Sequence, residues 1–350
     1  MKCERVNIRI DTGEIVSAMA PVIVSASRST DIPAFYAKWF FNRLRRGYCV
    51  WTNPFNSRDV YVSFKNCRVI VFWTKNPEPI IPYLHELDEM GIHYYFNVTL
   101  NDYEDDGFEP NLPPLEHRIE VFRKLSRAIG ADRVIWRFDP LLVSACISPR
   151  DLIRRIGNVG NRLCGFTRKL VFSFVDIKAY RNVQRNLVRS MCGFSPSNVA
   201  SAEPTWEQCQ ELVSGLKSLR SDWRKCGWDL ALATCGEVAD FEGVEHNRCI
   251  DGELMERVFG DDKVLLHYLH TGELVEPDLF GEVPGGETVG FDAVRMKDRG
   301  QRKECGCMVS KDIGSYNTCR HFCAYCYANR GRCGVLRNAE KFNDESDRLA

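Results

Sequence analysis

The chain of 350 residues has no net charge, because 47 Lys and Arg balance 47 Asp and Glu. A balanced molecule has no global field to attract a polyanion, so charge alone points to no nucleic-acid or acidic partner. No stretch approaches the roughly 18 apolar residues of a membrane-spanning helix. The opening MKCERVNIRIDTGEIVSAMA also lacks the apolar core of a secretory leader. Internal repeats and low-complexity tracts are missing as well. These absences predict a globular protein of the cytoplasm, with no membrane among its partners.

What the chain has in excess is cysteine, sixteen in all. Disulfide scaffolds are usually short and secreted, so a long chain without a leader is expected to keep its thiols reduced and use some of them for metal. Cys49, Cys67, Cys146, Cys164, Cys192, Cys209 and Cys226 are scattered through apolar patterns and are expected to be small buried hydrophobes.

Short apolar runs recur at PVIVSAS (21–27), CRVIVFWTK (67–75), HYYFNVTL (93–100), DRVIWRFDP (132–140), KLVFSFVD (169–176) and WDLALATCGE (228–237). Their β-branched and aromatic content suits strands buried on both faces. Helical spacing separates them at 31–47, 113–130, 148–165 and 204–227, with Ser148-Pro149 as a helix start and Gly130 as a stop. Residues 49–64 read as an inserted hairpin. The alternation predicts an α/β fold, a complete or partial parallel (β/α) barrel. Residues 1–237 would form its main part, 238–304 an irregular lid or auxiliary-cluster segment, 305–334 a closing strand and cluster-binding loop, and 335–350 a polar, frayed tail.

In such folds the strand C-terminal ends face the active site. Collected there are Ser25, Ser27, Thr74, Lys75, Asn97, Thr99, Arg137, Asp139, Ser173, Asp176, Thr234 and Glu237. Arg137 and Asp139 are two apart, so a strand turns both to one face.

The segment SYNTCRHFCAYCYANR (315–330) sets Cys319, Cys323 and Cys326 in the spacing C-x3-C-x2-C. Soft thiolates this close select zinc, copper(I) or iron–sulfur clusters. Three ligands on a four-iron cluster leave one iron open, whereas structural zinc closes four. His321 or Cys333 is available as a fourth zinc ligand.

With an aromatic before its last cysteine, CRHFCAYC resembles the cluster loop of the radical S-adenosylmethionine enzymes, and CAYCYANR is most similar to the spore photoproduct lyase branch. VIVFWTKNP and VIWRFDPLL resemble strands of that branch. Over nearly the whole chain, SASRSTDIPAFY, NPFN, FWTKNP and DIGSYNTCRHFCAYCYAN resemble a family known as DUF1848. The resemblance implies a [4Fe–4S] cluster on Cys319, Cys323 and Cys326, with S-adenosylmethionine chelating the fourth iron. Thr74, Lys75, Asn97, Thr99, Arg137 and Tyr325 are then the candidates to bind that cofactor. It also implies a 5′-deoxyadenosyl radical acting on an unidentified substrate, fed by a reductant such as flavodoxin or ferredoxin. The cluster loop usually follows the first barrel strand but here lies near the C-terminus, which a circular permutation explains. No GGE motif stands in the strand expected to carry one; residues 285–287 spell it inside the irregular stretch.

Cys235, Cys249, Cys305 and Cys307 form a second thiol set, suited to a second [4Fe–4S] cluster or a zinc ion. Asp139, Asp176 and Glu237 are the candidate acid–base groups, while Tyr316 and Tyr327 are expected to pack. Residues 150–190 carry ten Lys or Arg against Asp151 and Asp176, a stripe that could track a phosphate backbone, although such runs are usually solvated faces. A small molecule or peptide is therefore the expected substrate ahead of nucleic acid. The competing readings are a zinc-stabilised nucleic-acid-binding module and an iron–sulfur electron carrier.

Overall fold

A computed structural model describes residues 3–190, 193–278, 283 and 290–350. Cys192 and the GGE at 285–287 lie outside them. Two sheets organise the described residues. The smaller has the order β1-β2-β5-β4, from β1 (Arg5–Arg9), β2 (Ile15–Met19), β4 (Tyr48–Thr52) and β5 (Asp59–Ser63). The β4–β5 pair is the expected inserted hairpin. The β1–β2 hairpin carries no continuous buried run, five of its ten residues being exposed and only Ala18 buried.

The larger sheet has eight strands, all pairing in parallel: β3 (Ile23–Ala26), β6 (Val69–Thr74), β7 (His93–Thr99), β8 (Val134–Leu141), β9 (Lys169–Phe174), β10 (Ala231–Thr234), β11 (Glu245–His246) and β12 (Lys311–Asp312). The spatial order is β11-β10-β9-β8-β7-β6-β3-β12. The six apolar runs became β3 and β6 to β10. The fold is thus α/β with one eight-stranded parallel sheet, compatible with a partial barrel. The last strand in sequence, β12, pairs with the first parallel strand, β3, in the register Lys311↔Val24 and Asp312↔Ser25.

Strand alternation sorts side chains onto two faces. Ile70, Phe72, Tyr94, Phe96, Trp136, Phe138, Leu170 and Phe172 face the outer helices. Those helices sit where their periodicity placed them, at Leu115–Ile129, Pro149–Leu163 and Trp206–Lys225. Ser148 accepts a hydrogen bond from Asp151 N, and Thr205 with Gln208 closes a capping box. Gly160 allows close helix contact, since a Cβ there would stand 2.2 Å from the Trp223 ring. The stretch 31–47 is two helices, Ile32–Phe35 and Ala37–Arg46, broken at Tyr36.

The opposite face corrects one expectation. Residues 238–304, expected as an irregular lid or auxiliary-cluster segment, include helices Gly252–Val258, Lys263–Thr271 and Ala293–Met296, while their Cys249, Gln301 and Arg302 line a cavity at the strand ends. Ile250, Leu254, Met255, Phe259, Leu265 and Met308 pack on Val69, Val71, Tyr95, Ile135 and Val171. The segment therefore fills the inner face below the strand ends. Two short amphipathic helices separated by Gly260 and two aspartates give a weak periodic signal, which is why composition dominated the reading.

The tail corrects another. Residues 332–341 are helical, Trp39 Nε1 donates to Ser346 O at 2.9 Å, and Val50 N donates to Asp347 O at 2.7 Å. Leu349 is buried. A buried indole and a sheet edge both need acceptors, and the polar tail supplies them. Among the scattered cysteines, Cys49, Cys67 and Cys209 are buried as expected, but Cys146, Cys164 and Cys226 are exposed. No described helix is long and apolar enough to cross a membrane.

Asp262 ties the filling segment to the sheet. Its side chain caps the helix Lys263–Thr271 at Leu265 N, and it accepts from Arg68 Nη2 at 2.6 Å and meets His93 Nε2 at 3.1 Å. Burial pushes its carboxyl up, but the hydrogen bonds from His93, Arg68 and Leu265 N outweigh that and hold it well below the aspartate range. Replacing Asp262 by Asn should cost about 2 kcal/mol of stability in urea unfolding at neutral pH. A depressed folded pKa stabilises above the unfolded value and loses that contribution as pH falls through the acid range. The Asp262→Asn variant should therefore show a shallower loss of stability below about pH 4 than the parent.

Candidate functional site

At the C-terminal ends of the large sheet lies a cavity of about 560 Å³. All seven cysteines of the two predicted sets line it: Cys319, Cys323 and Cys326, and Cys235, Cys249, Cys305 and Cys307. So do Thr74, Lys75, Thr99, Arg137, Asp139, Asp176, Glu237 and Tyr325. Asn97 does not. It faces a separate cavity of about 630 Å³ lower on the inner face, where its Nδ2 donates to Cys249 O at 3.4 Å. The strand places Thr99 one pleat above it, and the loop carrying Cys249 separates the two spaces.

The loop 315–330 reaches this mouth because β12 delivers it beside β3. Asp312 anchors the junction: its carboxylate accepts from Ser25 Oγ at 2.7 Å, Arg28 N at 2.9 Å and Gly314 N at 2.8 Å. Gly314 crosses so close to β3 that a Cβ would lie 1.8 Å from Ser27 Oγ. Beyond it Asn317 and Phe322 take positive φ, 58° and 55°. An aromatic held there is a strained turn, and it reverses the chain between Cys319 and Cys323. Asn182 Nδ2 donates to the carbonyls of Tyr327 and Asn329, each at 3.1 Å, and Ala324 N donates to Phe108 O at 2.8 Å.

Below the loop runs a buried polar network. Lys75 Nζ donates to Glu109 Oε1 at 2.7 Å and to Tyr325 OH at 2.9 Å. Tyr325 OH donates to Glu109, and Asn101 Nδ2 reaches both of them at 3.1 and 3.0 Å. Arg118 Nη1 stands 3.8 Å from Glu109 Oε2. Burial pushes Glu109 up, but Lys75 and Arg118 outweigh it and hold the carboxyl low. Burial likewise lowers Lys75, and Glu109 more than restores it. Two buried cations thus share one carboxylate, next to Cys323, with which Lys75 interacts.

On the far wall Arg137 Nε donates to Asp139 Oδ2 at 3.1 Å, and Ser173 Oγ donates to Asp139. Burial raises Asp139, while Arg137 and Ser173 outweigh it and keep the carboxyl below its usual range. Glu237 accepts from Phe174 N at 2.8 Å; burial pushes it up to about 7, helped by Asp176 and Asp139. Asp176 is an exposed rim residue paired with Arg302 at 2.8 Å. Tyr316 and Tyr327 pack edge to face, 6.5 Å between centroids, and both also line the cavity.

The second thiol set comes together from three chain segments. Cys235 and Cys249 Sγ atoms are 3.5 Å apart, and Cys307 Sγ accepts from Cys249 N at 3.1 Å. Among the described residues, no three or more His, Cys, Asp or Glu close the shell of a single bound ion. The two proposed fourth zinc ligands are elsewhere engaged or remote: His321 Nε2 meets Asp31 Oδ2 at 2.8 Å, and Cys333 is exposed on the helix Arg332–Lys341.

Several residues here were not singled out from sequence. Arg28, Ser29, Thr30 and Asp31 follow β3 and line the cavity. The rule that strand C-terminal ends carry the site extends to them, but the reading stopped at Ser27. Glu109 had no such signal, because a buried acid inside NDYEDDGFE looks like its solvated neighbours.

A model of the family described as domain of unknown function (DUF1848) matches residues 23–328, and the chain belongs to that family. The match begins with β3 and ends two residues beyond Cys326, so it spans the eight-stranded sheet and all seven cavity cysteines. No curated protein and no solved structure matches the chain.

The shared carboxylate generates a stability test. Replacing Glu109 by Gln leaves Lys75 and Arg118 without a buried counter-charge and should cost about 3 kcal/mol in urea unfolding. Adding Lys75→Met to that variant should recover part of the loss, because the second change removes one uncompensated charge.

Proposed function

We propose that this chain is a radical S-adenosylmethionine enzyme whose reaction starts in the cavity at the mouth of the large sheet. One observation carries the reading: a C-x3-C-x2-C loop, delivered by the strand beside β3, shares one cavity with Thr74, Lys75, Thr99 and Arg137. In this reading the barrel is circularly permuted, its opening strand and loop being supplied from the C-terminal side.

The donor chemistry suits a cluster. Lys75 and Arg118 exceed Glu109 by one positive charge beside Cys323, a surplus that a metal-bound thiolate there would offset. Cys319, Cys323 and Cys326 would hold the [4Fe–4S] cluster, with Tyr325 fastening their loop to Glu109. Such a cluster, bound with S-adenosylmethionine, would supply the one-electron reductive cleavage of that cofactor.

The chain's own residues have separable tasks. Thr74 and Thr99 offer short hydroxyls suited to ribose, while Lys75 and Arg137 offer cations suited to a carboxylate. Asn97, lying off the cavity, takes no part. Glu237 stands on the wall as a proton acceptor, Asp139 as the counter-charge of Arg137, and Asp176 with Arg302 forms the rim. The volume beside the loop exceeds what an electron carrier requires and suits a substrate.

The basic run supports a small molecule or peptide over nucleic acid. Arg150, Arg154, Arg155, Arg162, Lys169 and Lys178 are each paired with a carboxylate, at Glu211, Asp151, Asp106, Glu116, Asp251 and Glu203. A reductant such as flavodoxin or ferredoxin, in the cytoplasm, would supply the electron.

Protein reconstituted anaerobically with iron and sulfide, then given dithionite and S-adenosylmethionine, should release 5′-deoxyadenosine. Replacing Cys319, Cys323 and Cys326 together by Ala should bring release down to the protein-free background. Undiminished release from that triple variant would overturn the assignment.

A further inference from the structure

The four thiols of Cys235, Cys249, Cys305 and Cys307 have surroundings that neutral thiols do not need. Arg137 Nη1 donates to Cys249 Sγ at 3.1 Å, and Asn247 Nδ2 donates to the same sulfur at 3.4 Å. Two main-chain groups, Cys249 N and Ile250 N, point at Cys307 Sγ at 3.1 and 3.5 Å. A protonated thiol is a weak acceptor, whereas a metal-bound thiolate is a strong one. Four N–H groups converging on two sulfurs therefore describe an anionic sulfur site.

Arg28 adds an independent observation. Its main chain is held at both ends, with N–H donating to Asp312 and C=O accepting from Tyr327 OH. Its guanidinium lies over the Trp73 ring, 5.3 Å from the centroid, and within electrostatic reach of Cys307, Cys249 and Cys305. Yet Nη2 is buried without any hydrogen-bond partner. A buried guanidinium nitrogen whose N–H groups have no acceptor is costly, and the thiols within its electrostatic reach are those that would become negative on binding metal.

The arrangement of the sulfurs selects between metals. A zinc ion at about 2.3 Å from each sulfur needs them gathered into one tetrahedral shell. The four thiols line one cavity, yet no single-ion shell is closed among the described residues. A four-iron cube takes one thiolate per iron and spreads its ligands around a larger body. With all four irons protein-ligated, such a cube would leave no open position, unlike the one proposed on Cys319, Cys323 and Cys326.

We propose that Cys235, Cys249, Cys305 and Cys307 bind a second [4Fe–4S] cluster, fully ligated by protein, with Arg28 and Arg137 as its charge partners. Arg28 is a positioning residue. It compensates the cluster's negative charge and, through N–H···S contact, favours the reduced state. The site rests on its own four thiols; only its pairing with a first cluster depends on the function proposed above.

The test uses full-length protein reconstituted anaerobically, with iron, acid-labile sulfide and zinc counted per chain. Wild type should hold about eight irons, and the Cys319→Ala, Cys323→Ala, Cys326→Ala triple variant about four, paramagnetic on reduction. Equal content of about four in both proteins would leave the second site standing and overturn the first. About four in wild type and none in the triple variant would do the reverse. One zinc per chain in the triple variant, in place of iron, would overturn the iron–sulfur assignment. In the triple-variant background, Arg28→Ala should shift the remaining cluster's midpoint potential to more negative values, and Arg28→Lys should shift it less. A potential indifferent to Arg28 would remove that residue from the proposal.

Discussion

The site depends on a two-residue strand. β12 pairs in parallel with β3, and the Asp312 carboxylate fastens the joint by accepting from Ser25, Arg28 and Gly314. Without that pairing the C-terminal loop has no reason to stand at the mouth of the sheet. The joint also orients Arg28, since the N–H that Asp312 accepts belongs to the residue whose guanidinium faces the second thiol set. One half-buried carboxylate thus couples the position of one cysteine loop to the electrostatics of the other.

The same economy governs the rest of the cavity. The inner face of a parallel sheet must be covered, and here helices from 252–271 cover its lower half. That covering leaves the strand ends open, and it brings Cys249 and Cys307 on flanking connections to the boundary between filled and open space. Cys249 O accepts from Tyr95 OH at 2.8 Å, so packing of the filler and placement of the thiol are a single event. Glu109 plays the corresponding part beneath the other loop, where it satisfies Lys75 and Tyr325 together.

Family membership spans the same unit. The DUF1848 match runs from β3 to just past Cys326, leaving β1, β2 and the C-terminal helix outside it. The tail nevertheless docks on that unit, supplying acceptors to Trp39 on the helix Ala37–Arg46 and to Val50 on β4.

The six buried strands and the three long helices were legible because apolar periodicity of two or 3.6 is a local property of consecutive residues. The cysteine spacing, the hairpin at 49–64 and the strand-end rule that pointed to Lys75, Arg137 and Glu237 were legible for the same reason. Residues distant in sequence were another matter. That Glu109 is buried against Lys75, that Asn97 falls one pleat below the cavity, that the helices within 252–271 cover the inner face of the sheet, and that the tail docks instead of fraying were all settled by tertiary contact. Burial and ion pairing depend on which side chains meet across the fold, and a polar residue carries no local mark of the partner that will satisfy it.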